Sequence, residues 1–233
     1  MDIGKAFSFV FEDEKWISKM LIGGLLIWIP IVNFAVFGYM LAVARNVAQG
    51  NPQPLPEWGE FGSLFGRGFY AFVIALVYLL PVFILEGLFF CVTGGLAAGA
   101  RRGDGGGGAA IGLLGLCLVP LLIVLALALS LLIYAALARF IATDKMSEAF
   151  KFSDVVAAVR TNIGTWLVLW LVALLANFVG GLGVIACGVG VLFTAFYAYC
   201  VTGHALGQTI RQVGNATDSP IPPTGYGPPP TYQ

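Results

Sequence analysis

The chain has 233 residues, of which 59% are hydrophobic and only 10% are charged, and its mean hydropathy is +0.90. Soluble domains carry about 25% charged residues, so this composition excludes an ordinary soluble domain and predicts an integral membrane protein. Twelve Lys and Arg balance twelve Asp and Glu. Nucleic-acid binding needs a basic patch, so we expect membrane lipids, and no nucleic acid, among the partners.

The N-terminal segment mixes aromatic and charged residues ahead of the first apolar run. Phe7, Phe9 and Trp16 alternate with lysines and with an acidic cluster at 12–14. Aromatic and lysine side chains anchor well at the headgroup level of a bilayer. The pattern therefore favours a segment lying at the membrane surface, and a frayed polar tail is the alternative.

The first apolar run covers residues 20–44 and contains no charged residue. Pro30 stands near its centre, and proline inside a helical pattern ends or kinks the helix. Two topologies stay open: one tilted span, or two short helices over 15–29 and 33–48. Each short helix would be roughly 22–24 Å long, which is less than the roughly 30 Å of a bilayer's hydrocarbon core.

Residues 45–67 predict a loop followed by a surface helix. Three prolines between positions 52 and 56 stop any helix there. The spacing of apolar residues from Trp58 to Phe65 then indicates a short amphipathic helix on the membrane surface. A span begins at Gly68, and Glu86 follows its uncharged run.

Residues 109–138 form an apolar run of thirty residues without one charged side chain. A helix of this length measures about 45 Å, and a helix that is apolar on every side does not suit the surface of a soluble domain. The run therefore predicts a membrane span. The Gly-rich segment 99–108 ahead of it, with Arg101 and Arg102, predicts a flexible turn.

Residues 139–160 are the most polar internal stretch. Phe150, Phe152 and several valines alternate with charged residues there. This pattern predicts a third interfacial amphipathic helix, with Asp144 or Ser147 as its N-cap.

The chain after this stretch is uncharged from 161 to 210 and is divided by glycines near 180–183. The division predicts two further spans, roughly 162–179 and 184–210. Past residue 213 the chain is rich in Pro and Tyr, and proline sustains neither helix nor sheet.

We therefore expect one transmembrane helical domain over 1–213 and a disordered cytoplasmic tail over 214–233.

The placement of positive charge chooses between five and six spans. With five spans the lysines and arginines divide five against seven, whereas with six spans ten of the twelve fall on one side and only Arg101 and Arg102 on the other. Cytoplasmic loops carry an excess of Lys and Arg. We therefore expect an all-α integral membrane protein of the cell (inner) membrane, with both termini cytoplasmic and about six spans. The spans would form three helix hairpins, each preceded by an amphipathic interfacial segment.

Several stretches resemble the prokaryotic membrane family known as domain of unknown function 4013. They are FEDEKWISKMLIGGLL (11–26), GYMLAVARNVAQG (38–50), LPEW (55–58), SLFGRG (63–68) and ARFIATDKMSEAFKFSDV (138–155). The resemblance reaches to about residue 212, and the Gly-rich turn and the Pro/Tyr tail depart from it. It implies a multi-pass prokaryotic membrane protein and supplies no activity, catalytic residue or cofactor.

Intramembrane polar groups are the default functional candidates, because burying an ionisable group in lipid costs at least a few kcal/mol. Glu86 either meets headgroups and the nearby arginines or handles a proton or cation. His204, the single histidine, is expected to form hydrogen bonds either at the membrane interface or between paired helices. One histidine excludes a di-histidine metal site, and we expect no metal, cofactor or catalytic residue.

Small residues in the last span predict close helix packing, within the chain or in a homo-oligomer. They recur at four-residue spacing, as Gly190, Thr194, Ala198 and Thr202, and as the pair Gly203 and Gly207.

Three functions compete. The first is a non-enzymatic structural or interaction component at the lipid interface, acting alone or with a membrane-complex partner. Its interfacial aromatics are Phe7, Phe9, Trp16, Trp58, Phe150 and Phe152. The second is a small-molecule or ion transporter or channel, which would use helices broken by proline. The third, a lipid-modifying enzyme, lacks a visible nucleophile and base. We favour the first.

Overall fold

The computed structural model describes residues 1–100, 107–185 and 190–215. Within these residues the chain is helical, without strands, and short 3-10 turns cover Phe9–Glu12, Trp58–Glu60 and Gly183–Ile185. The helices are α1 Ile3–Ser8, α2 Trp16–Leu26, α3 Phe34–Ala48, α4 Phe61–Ala100, α5 Gly107–Thr143, α6 Met146–Ala149, α7 Phe152–Thr161, α8 Ile163–Leu182 and α9 Gly190–Asn215. The prediction of an all-α protein is confirmed.

Three helical stretches in the described residues are long and apolar enough to cross a membrane. They are Trp58–Ala98, Ile111–Thr143 and Ile163–Ile185. The apolar run around Pro30 forms two shorter helices, α2 and α3, of 11 and 15 residues. The chain is therefore built as a membrane protein, while the count of six spans stays a prediction.

Two predicted surface helices differ from the observed elements. The segment 58–65 is not a separate helix, because no proline or helix-ending turn separates it from the apolar residues that follow and α4 continues from Phe61 to Ala100. The helix predicted after Arg139 is two pieces, α6 and α7. Their N-caps are Lys145 and Lys151, and neither gives a side-chain capping bond.

The predicted division at residue 213 falls inside α9, which ends at Asn215. The remainder of the predicted tail lies outside the described residues.

The contacts divide the chain into two compact units, the first comprising Met1–Ile74 and the chain from Tyr134, the second comprising Ala75–Ile133.

The core of the first unit is built around α9. Tyr39 and Val43 of α3, Leu64 of α4, and Phe196 and Cys200 of α9 belong to one buried cluster. The hydroxyl of Tyr39 donates to the carbonyl oxygen of Pro56 at 3.0 Å, so this buried polar group is satisfied.

Glycines set the register of α3 against its neighbours. A Cβ on Gly38 would overlap the carbonyl oxygen of Leu64, and a Cβ on Gly203 would overlap that of Met40. Only glycine permits such close backbone approach in lipid. A Cβ on Gly207 would likewise overlap the carbonyl oxygen of Ala44. Because residue numbers rise together in these two contacts, α3 runs parallel to α9.

The second unit consists of the later part of α4 and the earlier part of α5. Most of its large apolar side chains are exposed, including Phe90, Leu113 and Leu116, and both Pro81 and Pro120 lie inside the helices. Exposed leucines on continuous helices suit a lipid environment, where the backbone bonds must be satisfied within the helix.

Candidate functional site: a charged layer in the first unit

Three sets of ion pairs lie in the first unit, and we call them together the charged layer. Their cations are Lys19, Arg45, Arg67 and Arg139, each with acidic partners. Arg45, in the last turn of α3, is only 1% exposed. Its Nη1 donates to Oδ1 of Asp144 at 3.0 Å and its Nη2 donates to Oδ2 at 2.5 Å. Bidentate pairing of this kind is strong and directional.

Asp144 also faces a second arginine. Nη2 of Arg67, near the start of α4, lies 3.5 Å from Oδ1 of the same carboxylate. Asp144 follows α5 directly and has a φ of 54°, in the left-handed region that Asp tolerates better than most residues. One carboxylate therefore joins the end of α3, the start of α4 and the end of α5, and this pairing explains why Asp144 does not cap the next helix.

Lys19 forms the second part of the charged layer. It is 5% exposed, and its Nζ donates to Oδ2 of Asp13 at 2.7 Å and to the carbonyl oxygen of Leu55 at 3.0 Å. Glu57 lies 3.4 Å away. The ammonium group thus ties the start of α2 to the loop that precedes α4, and a buried cation held in this way is stable only while its partners remain.

Arg139 forms the third part, with the acids that follow α5. Its Nη2 donates to Glu148 at 2.9 Å and to Asp154 at 3.2 Å. Glu148 also accepts from Lys151 at 2.7 Å. The hydrogen bond from Lys151, followed by that from Arg139, lowers the pKa of the Glu148 carboxyl below its ordinary value of 4.5.

The cations of the charged layer are bound by acids of the same chain. Each of its cations lies within 3.5 Å of a carboxylate oxygen. No group of three His, Cys, Asp or Glu residues in the described chain could hold a metal ion. Paired charges of this type hold the segments that carry them in contact.

His204 lies at a separate place, in a cavity of about 720 Å³ that we call the His204 pocket. His204 is 4% exposed, and its ring centroid is 4.3 Å from that of Phe9. Gln208, one turn further along α9, contacts both the His204 ring and the backbone of Asp2. The remaining polar side chains of the wall are Lys5, Glu12, Asn51, Arg211 and Gln212.

Glu86 lies in α4 within the second unit and is partly buried. Arg101 and Arg102, its expected partners, lie outside the described residues. In the described part of the chain Glu86 forms no ion pair. Glu86 and His204 belong to different units.

The six predicted interfacial aromatics have different surroundings. Phe9 is 2% exposed and stacks on His204, so it packs inside the protein instead of at the membrane surface. Trp58 stacks on Tyr39 and donates from Nε1 to the carbonyl oxygen of Lys19 at 3.2 Å. Phe7, Trp16 and Phe150 are half-buried, whereas Phe152 is 50% exposed.

The small residues of α9 face two different helices. Gly203 and Gly207 meet the backbone of α3, whereas Thr194 donates to the carbonyl oxygen of Gly180 in α8 at 2.6 Å. The Cβ of Ala198 also lies against Gly180, Thr202 is buried, and Gly190 begins α9. The described contacts of these residues are therefore within one chain.

Comparison with known proteins bears on the charged layer. A family model described as a protein of unknown function (DUF4013) matches residues 22–189, which is most of the chain. The chain belongs to the DUF4013 family. No curated protein and no solved structure matches it.

The DUF4013 match covers only part of these polar features. Arg45, Arg67, Arg139 and Asp144 lie inside the matched range, whereas Lys19 of the charged layer and His204 lie outside it. The DUF4013 assignment confirms the family resemblance of the sequence and adds no activity.

Sequence reasoning missed the pairing of Arg45 with Asp144. The only signal was that Arg45 closes an apolar run without a nearby acid.

Proposed function

We propose that this DUF4013 protein is a non-enzymatic, multi-pass membrane component that acts at the lipid interface as a structural or interaction protein. The observation that carries the proposal is the shared carboxylate of Asp144, which contacts both Arg45 and Arg67. The polar groups of the layer bind one another, so they serve to hold helix ends together.

The same contacts support six membrane segments with both termini cytoplasmic. The end of α3, the start of α4 and the end of α5 meet at Asp144, and Gln208 near the end of α9 binds Asp2. Helix ends that meet in this way lie on one side of the membrane, as the distribution of positive charge requires. The segments α2 and α3 measure roughly 16 and 22 Å, so they fit this topology where the bilayer is locally thin.

The exposed apolar surface supports a role at the lipid interface. The turn between α2 and α3 exposes Trp28, Ile29 and Ile31, and Phe152 is exposed at the start of α7. An apolar groove of about 460 Å³, lined in part by Trp16, lies against α2 and α9. Lipid acyl chains are the natural occupants of such surfaces.

Cysteine accessibility tests the topology. In a variant whose four native cysteines are replaced, Ser8→Cys and Ser147→Cys offer a matched pair of exposed serines. We expect a membrane-impermeant maleimide to label both from the cytoplasmic side and to label Arg102→Cys from the other side. Labelling of Ser8→Cys and Ser147→Cys from opposite sides would establish five spans and refute the proposed topology.

The shape and lipid packing of vesicles that contain the protein test the interfacial role. The double substitution of Phe150 and Phe152 by Ser removes aromatic surface next to α7, and we expect it to reduce the effect of the protein on vesicle shape and packing. Unchanged vesicle shape with a correctly folded variant would contradict the role.

Transport is the competing function, and Glu86 is the observation that favours it, since it is the one charged residue between Arg67 and Arg101. Reconstituted protein should move no solute or ion, and Glu86→Gln should behave as wild type in cells. Solute flux that Glu86→Gln abolishes would establish transport instead.

A further inference from the structure

The backbone of Asp2 fixes the orientation of the Gln208 side-chain amide in the His204 pocket. The N–H of Asp2 donates to Oε1 of Gln208 at 2.6 Å, and Nε2 of Gln208 donates to the carbonyl oxygen of Asp2 at 2.9 Å. A backbone N–H can only donate and a carbonyl oxygen can only accept. A reversed amide would lose both bonds, so the positions of Oε1 and Nε2 are determined.

This orientation determines the tautomer of His204. Nε2 of Gln208 also lies 3.1 Å from Nδ1 of His204, and an amide NH₂ group can only donate. Nδ1 is therefore the acceptor, and the neutral imidazole carries its proton on Nε2. The ring is kept in this position by Phe9, whose centroid is 4.3 Å away.

The Nε2–H group of His204 is open to the pocket. Within the described part of the chain, Arg45 Nε is the single buried side-chain nitrogen or oxygen without a hydrogen-bond partner. Nε2 of His204 also has no described partner but is not one of these fully buried atoms, so it keeps some accessible surface, and the side chain that carries it lines the cavity. A donor on a side chain that is 4% exposed is thus presented to a ligand.

Of the two side-chain cations in the wall of the pocket, Lys5 and Arg211, one has no ion pair with the described residues. Lys5 is paired with Glu12 at 2.8 Å, and the carboxylate of Asp2 accepts the N–H of Lys5 at 2.9 Å as the cap of α1. Arg211 lies seven residues after His204, about two turns along the same face of α9. It lines the same cavity and forms no ion pair with the described residues.

We propose that the His204 pocket binds a phosphate group, with His204 Nε2–H and Arg211 as its donors. Arginine matches phosphate geometry with two parallel N–H groups, and the neutral imidazole adds a directional donor without a second charge. The volume of about 720 Å³ falls within the range of ligand sites, roughly 300–1,000 Å³. The phosphate belongs either to a free solute or to a lipid headgroup. This proposal is independent of the number of spans.

Calorimetric titration of the full chain in detergent micelles tests the proposal, with inorganic phosphate as the probe. We expect His204→Phe, which keeps a ring against Phe9, and Arg211→Gln each to weaken binding at least tenfold. Arg160→Gln, which removes an exposed arginine outside the pocket, should bind as wild type. Thermal melting of each variant verifies folding, and the exposed position of Arg211 keeps the test valid if His204→Phe fails to fold.

A second titration distinguishes the sources of phosphate. Phosphatidic acid in the micelles should displace inorganic phosphate if the ligand is a lipid headgroup, and phosphatidylcholine should serve as the comparison. Retained binding in the presence of phosphatidic acid identifies a free phosphorylated solute. The proposal is overturned if neither phosphate nor phosphatidic acid binds saturably, or if Arg211→Gln and a folded His204→Phe both bind as wild type.

Discussion

Arg45 and Asp144 are 99 positions apart in the chain, yet two hydrogen bonds of 3.0 and 2.5 Å join their side chains. Arg45 is buried, and its Nε has no partner. The guanidinium therefore depends on this one carboxylate for the compensation of its charge. The stability of the first unit should reflect that dependence.

Asp144→Asn should lower the free energy of unfolding by about 3–5 kcal/mol, because it leaves a buried guanidinium without a counter-charge. Chemical unfolding in detergent, followed by circular dichroism, measures the loss. Asp154→Asn is the control: it removes an acid from the more exposed pair with Arg139 and should cost about 1 kcal/mol or less.

A second substitution tests whether the stability loss of Asp144→Asn comes from the unpaired charge of Arg45 or from lost packing. Arg45→Met added to Asp144→Asn should recover much of the stability, since the apolar side chain has no charge to compensate. If the double variant is less stable than Asp144→Asn, the buried charge is not the cause of the loss.

Gly38→Ala should destabilise the protein by about 1–3 kcal/mol. The new methyl group would overlap the carbonyl oxygen of Leu64, and backbone atoms cannot rotate away. Gly66→Ala is a matched control in α4, where a Cβ meets nothing within 4 Å, and it should be neutral or stabilise by up to about 1 kcal/mol. Equal melting temperatures for the two variants would show that α3 and α4 do not approach so closely.

Lys19→Met should cost about 3 kcal/mol or more, because it leaves the carboxylate of Asp13 and the carbonyl oxygen of Leu55 without their donor. Lys15→Met removes an exposed lysine that lies 3.5 Å from Glu57, and such surface pairs contribute about 0–1 kcal/mol. Thermal melting of both variants in the same detergent makes the comparison. A loss as large in Lys15→Met would rule out burial as the cause.

The depressed pKa of Glu148 predicts a pH dependence of stability. A carboxyl whose pKa is lower in the folded state stabilises the fold above its unfolded pKa, and this stabilisation is lost as the pH falls through the folded pKa. Wild type should therefore melt above Glu148→Gln at neutral pH, and the difference should shrink as the pH falls below 4.5 and vanish below the lower, folded pKa. A constant difference down to pH 3 would contradict the role of the bonds from Lys151 and Arg139.

Several elements were predictable because their signals are local. The uncharged run 109–138 lies inside α5, and Pro30 separates α2 from α3. Long apolar runs and prolines act through the backbone within a few residues. The surface helix expected at 58–65 was wrong for a related reason: amphipathic spacing does not reveal whether a helix continues into the next apolar run.

The residues of the charged layer and the His204 pocket were not predictable as groups. Nothing in the spacing of Lys19 and Leu55, or of Asp2 and Gln208, indicates that they bind each other. Phe9 was likewise expected at the membrane surface, and in the structure it packs against His204.

By itself the sequence determined that this chain is helical and belongs in a membrane, because burial of apolar residues in lipid depends on composition and on runs of about 20 residues. Tertiary structure decided which charges pair. Arg45 lies beside Asp144 because α3 packs closely against α4 and α9, and glycines at 38, 203 and 207 permit that packing. Pairing of distant charges depends on the positions of whole helices, and those positions follow from packing along the entire chain.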